Sequence, residues 1–259
     1  MPSHLSGAFR ELAVEIMRCP VLSQCLTEGG QVLPCHQVVT GPGGPKHSHW
    51  VPDPWMGHLT EAPLLFVSSN PGSGGDPSCD PEDLSGASDD ESLLDFEDGA
   101  FDLGQFPGIA DGAHLVDRLG NRGPWVHYWG WVKDRATEVL PQPVIPGQAY
   151  ALTEVVHCGT TGEDGVWAAL ETCATRYLQR VLRASPAMVV VVVGSVARFA
   201  FQKYLDPAAP DHLLGPVELA GRERLVLVVP HPNSRGGNVP LGRHLSEEQL
   251  AKVRQVLTG

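Results

Sequence analysis

Leu225-Val-Leu-Val-Val-Pro-His231-Pro232-Asn233-Ser234-Arg235-Gly236-Gly237 is the stretch whose reading decides the fold. An unbroken apolar run of this length suits a strand buried on both faces, the kind found in parallel sheets covered by helices. The run passes straight into a polar, glycine-rich turn. An earlier stretch has the same design: Ala62-Pro-Leu-Leu-Phe-Val-Ser-Ser-Asn70-Pro71-Gly72-Ser-Gly74-Gly75. In an open parallel sheet, ligands sit outside the carboxyl ends of the strands. Two such ends, carrying Asn-Pro-Gly and His-Pro-Asn-Ser, therefore point at one shared pocket.

Working outward, four buried strands are expected: Leu64 to Ser69, Ala151 to His157, Met188 to Val193 and Leu225 to Val229. Helical stretches lie between and after them, at Trp125 to Val139, Gly165 to Ala184, Val196 to Tyr204 and Ser246 to Leu257. The last opens on Ser246-Glu-Glu-Gln249, a capping-box pattern. Leu5 to Met17 also has apolar residues near helical spacing. Strands alternating with helices imply parallel crossovers. The expected fold is an α/β three-layer sandwich around a central, mainly parallel four-stranded sheet. Residues 1–60 read as an N-terminal extension packed on the main domain, with residues 19–60 an ordered loop or clamp rich in Cys, Pro, Gly and His. Residues 61–259 read as that α/β domain, with an acidic loop at 76–102.

Composition narrows the class. Hydrophobic residues at 42% and charged residues at 19% describe an ordinary globular chain. The longest apolar run, Ala187 to Val193, is far too short to span a bilayer, so no membrane association is expected. No basic region followed by an apolar stretch opens the chain, and a cytoplasmic location is the expectation. The net charge of −12 weighs against a nucleic-acid partner, but it is unevenly spread. Eleven Asp or Glu lie between Asp76 and Asp102, whereas from Ser195 onward eight Lys or Arg outnumber six acids. The acidic stretch is a solvated loop, a gate or a mimic of a phosphate backbone. The end that carries His231 is mildly basic.

Four segments in order, Ser69-Asn70-Pro71-Gly72, Leu152-Thr-Glu154-Val-Val-His-Cys158, Val193-Gly194 and His231-Pro232-Asn233-Ser234-Arg235, resemble the motifs of the uracil-DNA glycosylase superfamily. The resemblance covers roughly residues 60–259. It implies an enzyme that flips a nucleotide out of DNA and hydrolyses its N-glycosidic bond, leaving an abasic site. Asn70 would orient the attacking water, as its counterpart does in mismatch-specific and single-strand-selective members. His231 would donate to the anion that develops on the departing base, an electrostatic role in a dry site. Turn amides around Gly72, Ser73 and Ser234 would grip flanking phosphates, and Arg235 would clamp a phosphate or fill the gap left by the flipped base. Phe106, in Gly104-Gln-Phe-Pro-Gly108, resembles the residue that stacks on the base. The cluster Trp125, Tyr128, Trp129 and Trp131 reads instead as helix core. DNA is the expected partner, and the protein is expected to act as a monomer.

Two departures from the uracil pattern bear on the substrate. Glu154 stands where an Asn usually reads the uracil edge. A carboxylate accepts from an exocyclic amino group such as cytosine N4, and a protonated one can also donate to cytosine N3. Gly72 stands where the strictest uracil enzymes place a bulky aromatic against C5, which leaves room for a methyl, hydroxymethyl or larger group. Together they favour a C5-modified cytosine, for instance in phage DNA met during defence. Uracil removal in base-excision repair is the first alternative, and a non-catalytic reader of modified or damaged DNA the second. A nucleotide-phosphate enzyme lacks Gly-Lys-Ser/Thr after the Gly72 turn, and a serine hydrolase lacks its Gly-x-Ser-x-Gly elbow.

Six cysteines, at 19, 25, 35, 79, 158 and 173, suit thiols or ligands better than disulfides in a cytosolic chain. Cys158 and Cys173 resemble the second ligand pair of the superfamily's iron–sulfur branch, although the first pair's Cys-x-x-Cys is missing here. By that resemblance Cys19, Cys35, Cys158 and Cys173 would hold a [4Fe–4S] cluster, with zinc as the alternative metal and Cys25 as reserve ligand. Cys79, in the acidic loop, is expected to be free.

Overall fold

The structure is a computed structural model that describes residues 7–48, 51–72, 90, 94, 101, 109, 111–116, 121–205 and 213–259. Its centre is a five-stranded sheet built from β1 (Leu64–Ser68), β4 (Tyr150–Glu154), β5 (Val189–Val193), β6 (Leu213–Leu219) and β7 (Arg222–Val229), in the order β4-β1-β5-β7-β6. A separate antiparallel pair, β2 (His114–Val116) and β3 (Arg122–Trp125), lies outside it. The four strands from β4 to β7 run parallel. Leu65 pairs with Ala151 and Val190, and Val190 with Val226, so the valine-rich cores of the strands are in register.

Strand residues alternate between two packed clusters, as a sheet with both faces covered requires. Leu65, Val67, Val190, Val192, Val226 and Val228 face one side. There they meet α1 (Gly7–Met17), α3 (His36–Thr40), α6 (Val166–Cys173), α7 (Gln179–Ala184) and α8 (Gly194–Tyr204) through residues such as Ile16, Val38, Leu170, Leu182 and Phe201. Leu64, Phe66, Val191, Leu225, Leu227 and Val229 face the other side, against Trp131 and Val132 of α5 (His127–Val139) and Val253 of α9 (Glu247–Thr258). Three further elements lie in the N-terminal part: α2 (Pro20–Cys25), α4 (Pro45–Ser48) and a 3₁₀ turn at Gly30–Val32. Within residues 19–60, expected as an ordered loop or clamp, short helices run as far as Ser48 and the described residues from Val51 to Thr60 are not helical.

Three expectations need correction. The sheet has five strands, not four. β6 carries Gly215-Pro216, which breaks its apolar pattern, and the strand pairs antiparallel with β7 at the sheet edge, where a proline is tolerated. The helix expected from Trp125 starts at His127. Trp125 belongs to β3 and is about half exposed, so it is not helix core. The helix expected from Gly165 to Ala184 is interrupted by a π turn at Ala174–Leu178 between α6 and α7. The capping box at Ser246 forms as read, Ser246 Oγ accepting from the Gln249 amide and Gln249 Oε1 from the Ser246 amide.

Candidate functional site

Sheet order decides which sequence segments meet. At the carboxyl edge, the ends of β4, β1, β5 and β7 deliver Glu154, Ser68 to Asn70, Gly194 and His231, side by side in that order. The parallel pairing of β1 and β4 continues past both strands. Val155 N donates to Ser68 O, Val156 N to Ser69 O and Thr160 N to Pro71 O, with a last bridge at Gly72 and Thr160. This zip carries the 155–163 segment alongside the Asn70 turn.

Within that turn, the Asn70 amide donates to Pro71 O at 2.7 Å, and Asn70 Oδ1 faces Ser69 Oγ at 3.2 Å. Ser69 Oγ is closer still, 2.6 Å, to a carboxylate oxygen of Glu163. Glu163 has φ of 62°, a left-handed conformation that costs a non-glycine residue roughly 1–2 kcal/mol. Such strain persists where the surroundings over-determine it, and it clusters at functional positions. Thr161 N donates to Pro42 O at 2.9 Å, so the N-terminal extension helps to hold this loop.

Glu154 receives a long 3.5 Å contact from Ser68 Oγ. Part of the residue reaches solvent, but burial of its carboxyl, reinforced by the charge of Asp53, pushes its pKa up to about 8. The Ser68 contact pulls in the opposite direction and is outweighed. At neutral pH Glu154 is therefore a neutral acid with one donor and one acceptor.

His231 stacks on Tyr128, ring centroids 5.6 Å apart and planes 8° from parallel. Its Nδ1 accepts from the Asn233 amide at 3.2 Å, which places the proton of the neutral ring on Nε2. Burial lowers its pKa, opposed by the carboxylate of Glu163 and assisted by His127, so the ring is neutral at physiological pH. The turn that follows is tightly made. Ser234 donates to His231 O through both its amide, 2.8 Å, and its hydroxyl, 2.6 Å. A Cβ on Gly237 would lie 1.9 Å from His231 O, so only glycine fits there, and Gly237 O accepts from the Trp131 indole. The Ser234 amide, expected to face a phosphate, is thus spent inside its own turn, whereas Arg235 is exposed at the tip.

Gly72 is exposed, and a Cβ built on it meets nothing within 4 Å. Ser73, Phe106 and Cys79 lie outside the described residues. Of the residues reasoned from sequence, Asn70, Gly72, Glu154 and His231 come to one edge. Ser69, quoted from the sequence only as part of its motif, Tyr128, read there as helix core, and Glu163, not singled out at all, join them.

On the other side of the 155–163 segment, Cys19, Cys35, Cys158 and Cys173 line a single recess beside Tyr177 and Arg176, about 350 Å³ with its open mouth included. Cys25 is buried but does not line it. Burial and their own mutual repulsion push the Cys35 and Cys173 thiols up to about 12 and raise Cys158 well above the ordinary thiol value. The sulfurs already have donors of the kind that steady thiolates. His157 N points at Cys173 Sγ, 3.5 Å, and Tyr177 Oη at Cys19 Sγ, 3.4 Å. Four sulfurs line one recess, thiolate sulfur being a donor type that metal centres use, and no disulfide links the described cysteines. Among the described residues, no three His, Cys, Asp or Glu stand in an arrangement that could hold a metal ion as the side chains lie. Nor is any described helix long and apolar enough to cross a membrane.

Compared with known proteins, the chain matches no family model and no curated protein.

Proposed function

We propose that the protein is a DNA glycosylase of the uracil-DNA glycosylase type, built on a three-layer α/β/α sandwich. The observation that carries this reading is the shared sheet edge at which Asn70 stands between the neutral acid Glu154 and a neutral His231. A flipped pyrimidine held there would present its glycosidic bond to Asn70 and its developing O2 anion to His231 Nε2. A neutral imidazole suits that task. It donates a hydrogen bond as charge appears on the base, without the desolvation cost of an imidazolium before the reaction. Tyr128 fixes the ring plane, and the Ser234–Gly237 turn fixes its height.

Glu154 would read the base. A neutral carboxyl donates to cytosine N3 and accepts from N4, and the open space at Gly72 accepts a C5 substituent. A C5-modified cytosine is therefore the favoured substrate. The same carboxyl, rotated, matches uracil N3–H and O4, so uracil is the competing substrate and the experiment must include it.

The four cysteines that line one recess would supply the four thiolates of a [4Fe–4S] cluster, with zinc as the alternative metal. Bound there, it would serve as a structural cross-link. Cys158 lies between Glu154 and Glu163 on one segment, so the centre would fasten the extension to the strand end that forms the site.

Single- and double-stranded oligonucleotides carrying uracil, 5-methylcytosine, 5-hydroxymethylcytosine or unmodified cytosine, scored for abasic sites, test the reading. Excision is expected with wild type on a modified cytosine, reduced by roughly 10²–10³ in His231→Ala. Exclusive excision of uracil would overturn the substrate, and equal activity of His231→Ala would overturn the mechanism.

A further inference from the structure

Resting on that glycosylase reading, we propose that Glu163 is the general base, taking the proton of the water that Asn70 orients. An asparagine can hold a water but cannot accept its proton, so the Asn70 turn by itself supplies only half of the chemistry. The missing half comes from a different segment, brought in by the backbone zip between Pro71 and Thr160.

Three observations converge on Glu163. Ser69 has one hydroxyl proton and two acceptors, Glu163 at 2.6 Å and Asn70 Oδ1 at 3.2 Å. The shorter contact takes the proton, which leaves Asn70 Oδ1 free to accept from a water. The second carboxylate oxygen of Glu163 makes no hydrogen bond to a described residue, so one water can bridge the two groups. Next, the carboxylate acts electrostatically on His231, opposing the fall in its pKa, so it stands within electrostatic reach of the leaving-group side as well as in contact with the Asn70 turn. Finally, a glutamate occupies a left-handed backbone position, φ 62°, directly after Gly162. Glycine would be the cheaper residue there, and no packing requirement explains the longer side chain, which is solvent-exposed. The balanced step is simple. The water oxygen bonds to C1′ as the bond from C1′ to the base nitrogen breaks. The bonding pair leaves with the base, where His231 stabilises it, and the water proton passes to Glu163.

Glu163→Gln keeps the acceptor for Ser69 but cannot take a proton, and Glu163→Gly removes both the side chain and the backbone strain. On whichever oligonucleotide of the panel wild type excises, single-turnover excision should fall about 100-fold or more in each variant, with DNA affinity within roughly threefold. Glu163→Gly should melt at the same temperature as wild type or higher, so loss of activity cannot be loss of folding. Added formate should restore part of the activity of Glu163→Gly, because a small carboxylate fits the vacated space. Wild-type rates in Glu163→Gln, or a loss in Glu163→Gly that formate leaves untouched, would overturn the base. If wild type excises nothing from the panel, the glycosylase reading itself falls and takes this inference with it.

Discussion

The ring of Tyr128 lies flat against His231, 5.6 Å between centroids and 8° from parallel, and it also stacks on Trp131 at 6.3 Å. The side chain is partly buried, and its buried hydroxyl sits near Ser68 without a well-formed hydrogen bond. Tyr128 therefore acts on His231 through its face, not its hydroxyl. Tyr128→Phe should keep both stability and activity. Tyr128→Ala should lose roughly 1–3 kcal/mol, less than a fully buried aromatic would, and should slow excision by freeing the imidazole. Thermal melts and single-turnover rates on the two variants check this, and a Phe variant as damaged as the Ala one would contradict it.

Glu154 makes a pH prediction whose sign is fixed by its raised pKa. The folded state holds the proton up to about pH 8, whereas an unfolded glutamate releases it near 4.5. The stabilisation is thus complete below the unfolded value and is lost as pH rises through about 8. Excision of a cytosine-type base should fall over the same alkaline limb, since an ionised Glu154 cannot donate to N3. Glu154→Gln presents the same donor and acceptor at every pH, so it should flatten both curves. Denaturation midpoints and excision rates from pH 6 to 9 measure this, and an unchanged alkaline limb in the variant would assign the limb to another group.

These two residues also mark where the sequence was legible. The five valines of β5 can only be a strand buried on both faces, and His231 and Asn70 follow their strands so closely that the strand ends place them. Glu154 is positioned by the same logic, one step along β4. Tyr128 was hidden in an aromatic-rich helix, because which face of α5 meets His231 depends on how that helix packs on the sheet. Glu163 sits in Thr160-Thr-Gly-Glu-Asp-Gly165, a polar loop with no periodicity. Its place beside Ser69 comes from backbone pairing with a segment about ninety residues away. Side chains delivered by strand ends are local information, and those delivered by loops riding on other loops are not.

Gly72 sets the breadth of the pocket if it stands beside C5 of the base. Its Cβ direction is empty to 4 Å, and its backbone needs no left-handed angle, so larger residues should fold there without strain. Gly72→Tyr should fill that space and exclude C5 substituents while leaving an unsubstituted base able to enter. Excision of 5-hydroxymethylcytosine should drop by about tenfold or more relative to the unsubstituted base, the order expected from a steric mismatch in a pocket. A variant that lowers both rates equally would place Gly72 away from C5.

The five described cysteines divide four to one, and that division can be tested without any activity assay. Cys19, Cys35, Cys158 and Cys173 line the recess, while Cys25 faces the core beside it. Protein purified without oxygen should be brown, absorb near 400 nm and carry iron and sulfide. Serine at any of the four lining positions should abolish the colour, whereas Cys25→Ser should keep it. Because the centre would be bound by the folded chain alone, its loss should lower the melting temperature. The loss should also loosen the 155–163 segment, read as faster amide exchange at Thr160 and Thr161, whose hydrogen bonds to Pro71 and Pro42 hold that segment in place. Colourless protein with one equivalent of zinc would replace the cluster by a single ion. Retention of colour in Cys35→Ser but not in Cys25→Ser would move the fourth ligand to Cys25.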